Sequence, residues 1–152
     1  MANQLSKLLT LVVDTLEAMP LVNTVVFKDD NVVDVEKENV YPLVSIRLLS
    51  GYAPKLDIWN YVLSFEVYTQ RDDRKIATPS KLLLDTNYID NIGICDSIAN
   101  NFVLEFLKSH NEFDIGIVDD GVSEFDPVEK DERNSLDGIK FTVQFYTHQN
   151  NI

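Results

Sequence analysis

The chain has 152 residues, 45% hydrophobic and 25% charged, enough for one domain with a sizeable core and too apolar for global disorder. Its 25 acids against 13 bases give a formal charge of -12, which argues against gripping phosphate backbones, a task for clustered Lys and Arg; a surface past which DNA slides without sticking remains compatible. Cys95 is the only cysteine, so an intrachain disulfide is excluded and a reducing compartment is expected.

Leu5, Leu8, Leu9, Val12, Val13 and Leu16 recur at helical spacing and Pro20 closes the segment, which predicts an amphipathic helix of about four turns. Lys7 is its only early base and Asp14 interrupts its apolar run, so it reads as neither a signal peptide nor a membrane span, and a soluble intracellular product, or one assembled inside a cell, is expected. "NTVVFKDDNVVDVE" follows, two β-rich runs around an Asp-Asp-Asn turn, and reads as a hairpin. In "VYPLVSIRLL", Val44, Ile46 and Leu48 alternate with Ser45 and Arg47, with Pro42 at the strand's start because it cannot donate to a ladder.

Gly51 and Pro54 in "SGYAPKLD" break that pattern. "IWNYVLSFEVYTQ" then places Trp59, Tyr61, Leu63, Phe65 and Val67 on one side and Asn60, Ser64, Glu66 and Tyr68 on the other, a long strand expected to pair with the C-terminal one at the centre of an antiparallel sheet. The charged "RDDRKIATPSKLLLDTN" reads as an extended arm, longer than an ordinary connection. From Tyr88 to Ser109, Ile92, Cys95, Ala99, Phe102, Val103 and Phe106 line one face of a second helix. "FDIGIV" resumes strand character, and an acidic, turn-rich passage with an edge strand near Val122 to Val128 leads to an "LDG" turn. That turn launches the last strand, whose Ile139, Phe141, Val143 and Phe145 alternate with Lys140, Thr142, Gln144 and Tyr146. The order of elements predicts a single α+β domain over residues 1–152: an antiparallel sheet with an N-terminal helix and a second long helix packed on one face, and extended loops at about 70–87 and 119–137.

Chemical signatures are sparse. Cys95 would need a base such as His110 or His148 to act as a nucleophile, but it lies on an apolar helical stripe beside Asp96 and reads as a buried structural thiol. Asp119, Asp120, Glu124, Asp126, Glu129, Asp131 and Glu132 do not follow a calcium-loop spacing and read as a solvated acidic loop. No metal-ligand spacing involves the histidines, and no phosphate-cradling or dinucleotide glycine motif occurs, so neither cofactor nor metal is expected and an enzyme is not the favoured class. Trp59 and Tyr61 share parity with core residues and are expected to be buried or half-buried. Tyr68, on the other face, is the better interface candidate. Arg71, Asp72, Asp73, Arg74 and Lys75 read either as a solvated loop or as a mixed-charge contact between copies of the chain.

Together, "YPLVSIRL", "DIWNYVLSFEVYTQRDD", "IDNIGICDSIANNFVLEFL" and "LDGIKFTVQFYTH" resemble the small head-tail joining proteins of tailed bacteriophages: the tail terminator, tail completion and neck group. The resemblance covers the order of elements along nearly the whole chain. Its long connection from Arg71 to Asn87 and acidic passage from Asp119 to Asp137 depart from a compact version of that pattern. The resemblance implies a non-catalytic virion protein, assembled in the host cytoplasm. It implies a homo-oligomeric ring, contacts to adjacent portal, connector or tail proteins, and DNA passing through the lumen without sequence-specific binding. Tyr68, the 71–75 run and Asp119, Asp120 and Asp126 are then the expected subunit or partner contacts. The competing expectation is an acidic intracellular adaptor that binds another protein through Asp119, Asp120 and Asp126.

Overall fold

The computed structural model describes residues 4–27, 40–70, 86–109, 114–130 and 136–148. The first helix, α1 (Gln4–Glu17), sits where the leucine and valine spacing predicts it, with Leu8, Val12 and Leu16 buried. β1 (Thr24–Phe27) and β2 (Leu43–Lys55) come next, then β3 (Ile58–Gln70), the second helix α2 (Thr86–Ser109), β4 (Ile115–Val122), β5 (Asp126–Lys130) and β6 (Leu136–His148). The six strands form one sheet in the order β1-β2-β3-β6-β4, with β5 also on β6. The result is α+β, and the sheet is antiparallel apart from β1 on β2.

The two strands with the cleanest period-two pattern do pair at the centre, in unbroken register from Ile58 opposite His148 to Gln70 opposite Leu136. One face of that pair carries Leu63, Phe65, Val67, Ile139, Phe141, Val143 and Phe145, all buried. Val44 and Ile46 of β2 extend the same face, and both helices pack on it: Leu8, Val12 and Leu16 join Cys95, Ile98, Ala99, Phe102 and Phe106 in one core cluster. A file of six rings crosses this core. Phe125 touches Phe141, which stacks on Phe65 at 5.1 Å; Phe65 meets Phe102, then Phe106, then Phe145, with centroids 4.9–5.9 Å apart throughout. Burying a large aromatic side chain is worth about 1.5–3 kcal/mol in transfer alone, so this file is the main apolar tie between α2 and the sheet.

Several expectations are corrected. Of the predicted hairpin over 23–36, the first run is a strand, Thr24 to Phe27, which pairs in parallel with Leu43 to Ile46, a partner not anticipated; the turn and the second run lie outside the described residues. Gly51 and Pro54 do not end β2, which absorbs them in two irregularities of register, between Leu48 and Ser50 and between Tyr52 and Lys55, and turns back only at Leu56 and Asp57. Leu136, Asp137 and Gly138 are no turn but the first rungs of β6, opposite Gln70, Thr69 and Tyr68. The acidic passage is partly strand: Asp119 to Val122 belongs to β4 and Asp126 to Lys130 to β5. Both lie along the same side of β6, and the interruption between them is pinned by Ser123, whose N–H donates to Thr142 O at 2.9 Å while its Oγ accepts from Thr142 N at 2.7 Å. Of the predicted arm, 71–85 lies outside the described residues.

Candidate functional site

Outside the main core the sheet has two contrasting regions. Near the start of β6, Tyr68 is fully buried with Leu43 and Leu136 in a small separate cluster, with Val26, Tyr41 and Val128 packed around it. Tyr68 therefore faces away from the helices as its parity requires, yet it is no surface residue and the expectation that it forms an interface is corrected. Its cross-strand neighbours explain this: Leu43 stands on one side, and on the other Gly138 leaves room for the ring, since a Cβ there would lie 2.7 Å from Tyr68 Cδ1. The hydroxyl donates to Glu66 Oε2 at 2.8 Å.

Toward the other end of the sheet the picture reverses. β2 is buried from Leu43 to Ile46 and exposed from Arg47 to Lys55. The β2–β3 hairpin thus runs on past its helical cover, carrying Leu48, Leu49, Tyr52, Leu56 and Trp59 exposed. Leu56, at the turn, is 88% exposed, and Trp59, expected buried or half-buried, is 39% exposed on the helical face, beyond the end of the ring file. Tyr61, one rung closer in, is half-buried against the core as expected. These residues fall on both faces of the hairpin, Leu48 and Trp59 on the face of Leu63 and Tyr52 on that of Asn60, and singly exposed apolar side chains are ordinary; their concentration along one stretch of β2 is the feature that sets this end of the sheet apart. β1 covers β2 only as far as Ile46, so the edge from Arg47 to Lys55 has no strand beside it among the described residues.

On the polar side of this hairpin, the Tyr52 hydroxyl accepts from Asn60 Nδ2 at 3.3 Å and from Gln144 Nε2, tying β2 and β6 across β3. Asn60 Oδ1 is buried without a hydrogen-bond partner, in a cleft of about 760 Å3 whose walls include Lys55, Asp119, Tyr146 and His148. His148 presents its ring to the edge of Tyr146, at 5.9 Å, and its backbone accepts from Gln4 Nε2 at 2.6 Å. A second hollow, of about 640 Å3 and largely apolar, lies where Ala18, Met19, Pro20 and Leu21 leave α1 beside Asn101 of α2.

Of the other expected site residues, Asp119, Asp120 and Asp126 are exposed on the β4–β5 side of the sheet, with Asp120 at a positive φ of 59° where β4 departs from regular pairing. Arg71, Asp72, Asp73, Arg74 and Lys75 lie outside the described residues, as does His110. Cys95 is buried, as its helical position indicates, and a polar group surrounds it: Thr69 Oγ1 lies 3.8 Å from its sulfur, the thiol points at Asp137 O at 3.7 Å, and Asn91 Nδ2 donates to Asp137 Oδ2 at 3.1 Å. Desolvation first, then the nearby Asp137 carboxyl, push the thiol up to about 11, against the opposing pull of Thr69. A thiol held protonated in this way is no nucleophile near neutral pH. Among the described residues no group of three His, Cys, Asp or Glu side chains is placed to hold a metal, and no helix is long and apolar enough to cross a membrane.

Sequence reasoning missed the exposed half of β2. Its signal was present in the consecutive Leu48 and Leu49, which break the period-two alternation at the point where the strand bulges. No family model matches the chain, and no curated protein matches it in sequence.

Proposed function

We propose that the chain is a structural ring subunit of the head-tail junction of a tailed bacteriophage, a neck, connector or tail-terminator protein, through whose lumen DNA passes. The observation that carries this reading is the stretch of β2 from Arg47 to Lys55, exposed, carrying Leu48, Leu49 and Tyr52, and with no strand on its outer side among the described residues, on a sheet whose centre is fully paired. An isolated monomer gains nothing from such a stretch, whereas cyclic assembly covers it and removes the free edges. The order of elements behind the sequence resemblance, an N-terminal helix, strands, a second helix packed on the sheet, then a last strand after an acidic passage, is also the order of the described elements here. In this reading no residue is catalytic, assembly takes place in the host cytoplasm and the mature location is the virion neck or tail. The test is direct imaging: negative-stain electron microscopy of the purified protein, with its mass in solution, is expected to show closed rings or stacked rings, alone or after mixing with portal or tail components. A strictly monomeric particle under all of these conditions overturns the reading.

A further inference from the structure

The two flanks of the sheet carry opposite charge. Arg47 to Lys55, the part of β2 that no strand flanks on its outer side among the described residues, contains two bases and no acid. On the opposite flank, residues Asp114 to Asp126 contain five acids and no base. An acid-free run occupies one flank and a base-free run the other. Between Arg47 and Lys55, the side chains of Leu48, Leu49 and Tyr52 are exposed, so the basic flank is also apolar. Asp119, Asp120 and Glu124 are exposed on the acidic one.

β3 and β6 lie between these flanks, and the outward edges of a sheet point in opposite directions. Two unlike surfaces on opposite sides of one chain join head to tail, and head-to-tail contacts close into rings when the rotation allows. Charge sets the direction. Base against base or acid against acid is penalised by several kcal/mol for close like charges, which leaves the unlike pairing as the favoured one. We infer that the outer flank of β2, Arg47 to Lys55, docks on the acidic β4 flank, Asp119 to Glu124, of a second copy of this chain. The inference rests on the ring reading above and names the two surfaces by which such a ring closes.

The test uses two reversed variants of the full chain, Arg47→Glu with Lys55→Glu, and Asp119→Lys with Glu124→Lys. All four positions are exposed, and thermal unfolding of each variant verifies that the fold is kept. Asp120 is left alone because its positive φ makes substitution a backbone question. Sedimentation velocity over a concentration series reads the midpoint of assembly. The first variant alone presents acids on both flanks and the second sets two lysines against the basic flank; each is expected to raise that midpoint at least about tenfold, while the equimolar mixture, in which the new glutamates can face the new lysines and the unmodified flanks each other, returns it to within about threefold of the unmodified chain. Unmodified chain that assembles while both variants do the same at unchanged midpoint overturns the flank assignment and leaves the ring reading standing. Variants that lose assembly without recovery on mixing also overturn it. Unmodified chain that stays monomeric throughout removes the ring reading and the inference with it.

Discussion

Cys95 shows how little of a side chain's chemistry is set by its own position. Its place on the apolar stripe of α2 makes burial readable from spacing, but the groups that define it, Thr69 on β3 and the backbone of Asp137 on β6, are 26 and 42 residues away and were not. Because the fold raises this thiol from its ordinary 9.0 to about 11, the protonated form is favoured by folding. The stability it contributes is full below about pH 9 and is lost as pH rises toward 11, since the unfolded chain gives up its proton first. The native protein is therefore expected to resist a thiol reagent at pH 8 and to react once in denaturant; labelling of the folded chain as fast as a free thiol would contradict this. Asn91, holding Asp137 at 3.1 Å, closes the same buried group and fixes the rotation of α2 over the sheet. Tyr68 teaches the converse lesson. Strand parity states which face a residue takes, and it took the expected face, but parity does not state whether that face is covered.

At the scale of elements, the strands readable from sequence were those with one unambiguous apolar face, β3 and β6, together with α1 and α2, whose spacing leaves little choice of partner. Less readable were β1, whose parallel partner Leu43 to Ile46 is non-local, and the second half of β2, where bulges let the strand continue through Gly51 and Pro54. The ring file from Phe125 to Phe145 ties these elements into one unit, and Phe102 stands inside it, in contact with both Phe65 and Phe106. Phe102→Ala is expected to cost about 3–5 kcal/mol, read as a lower denaturant midpoint. Leu56→Ser, at the exposed hairpin turn, is expected to stay within about 0.5 kcal/mol of the parent chain. Equal losses from the two changes would mean that the hairpin tip is packed in the isolated chain, and the exposure on which the interface reading depends would fall.

For the whole molecule, the charge balance was legible from the start, but its separation between two flanks of one sheet required the strand order, since Arg47 and Asp119 are neighbours in neither sequence nor ladder. A wall of this net charge repels phosphate. Purified protein, including any assembled fraction, is expected to leave double-stranded DNA unshifted in a native gel at about 50 mM salt, where phosphate-gripping proteins bind most strongly. A retarded band that fades with added salt would point to a concealed basic surface instead. The strand order has another consequence, in time rather than space. β6 comes last of the described elements yet occupies the middle of the sheet, between β3 and the β4–β5 flank. While the chain emerges from the ribosome, β2 and β3 have each other, but one side of β3 and, among the described residues, both β4 and β5 wait for their strand partner until Leu136 to His148 arrives. Pairing across so long a separation is slow, on the order of milliseconds to seconds in comparable β-rich domains. The β4–β5 side of the sheet is therefore built only once Leu136 to His148 has docked, and in the proposed ring the acidic flank is offered only by subunits in which that strand is already in place.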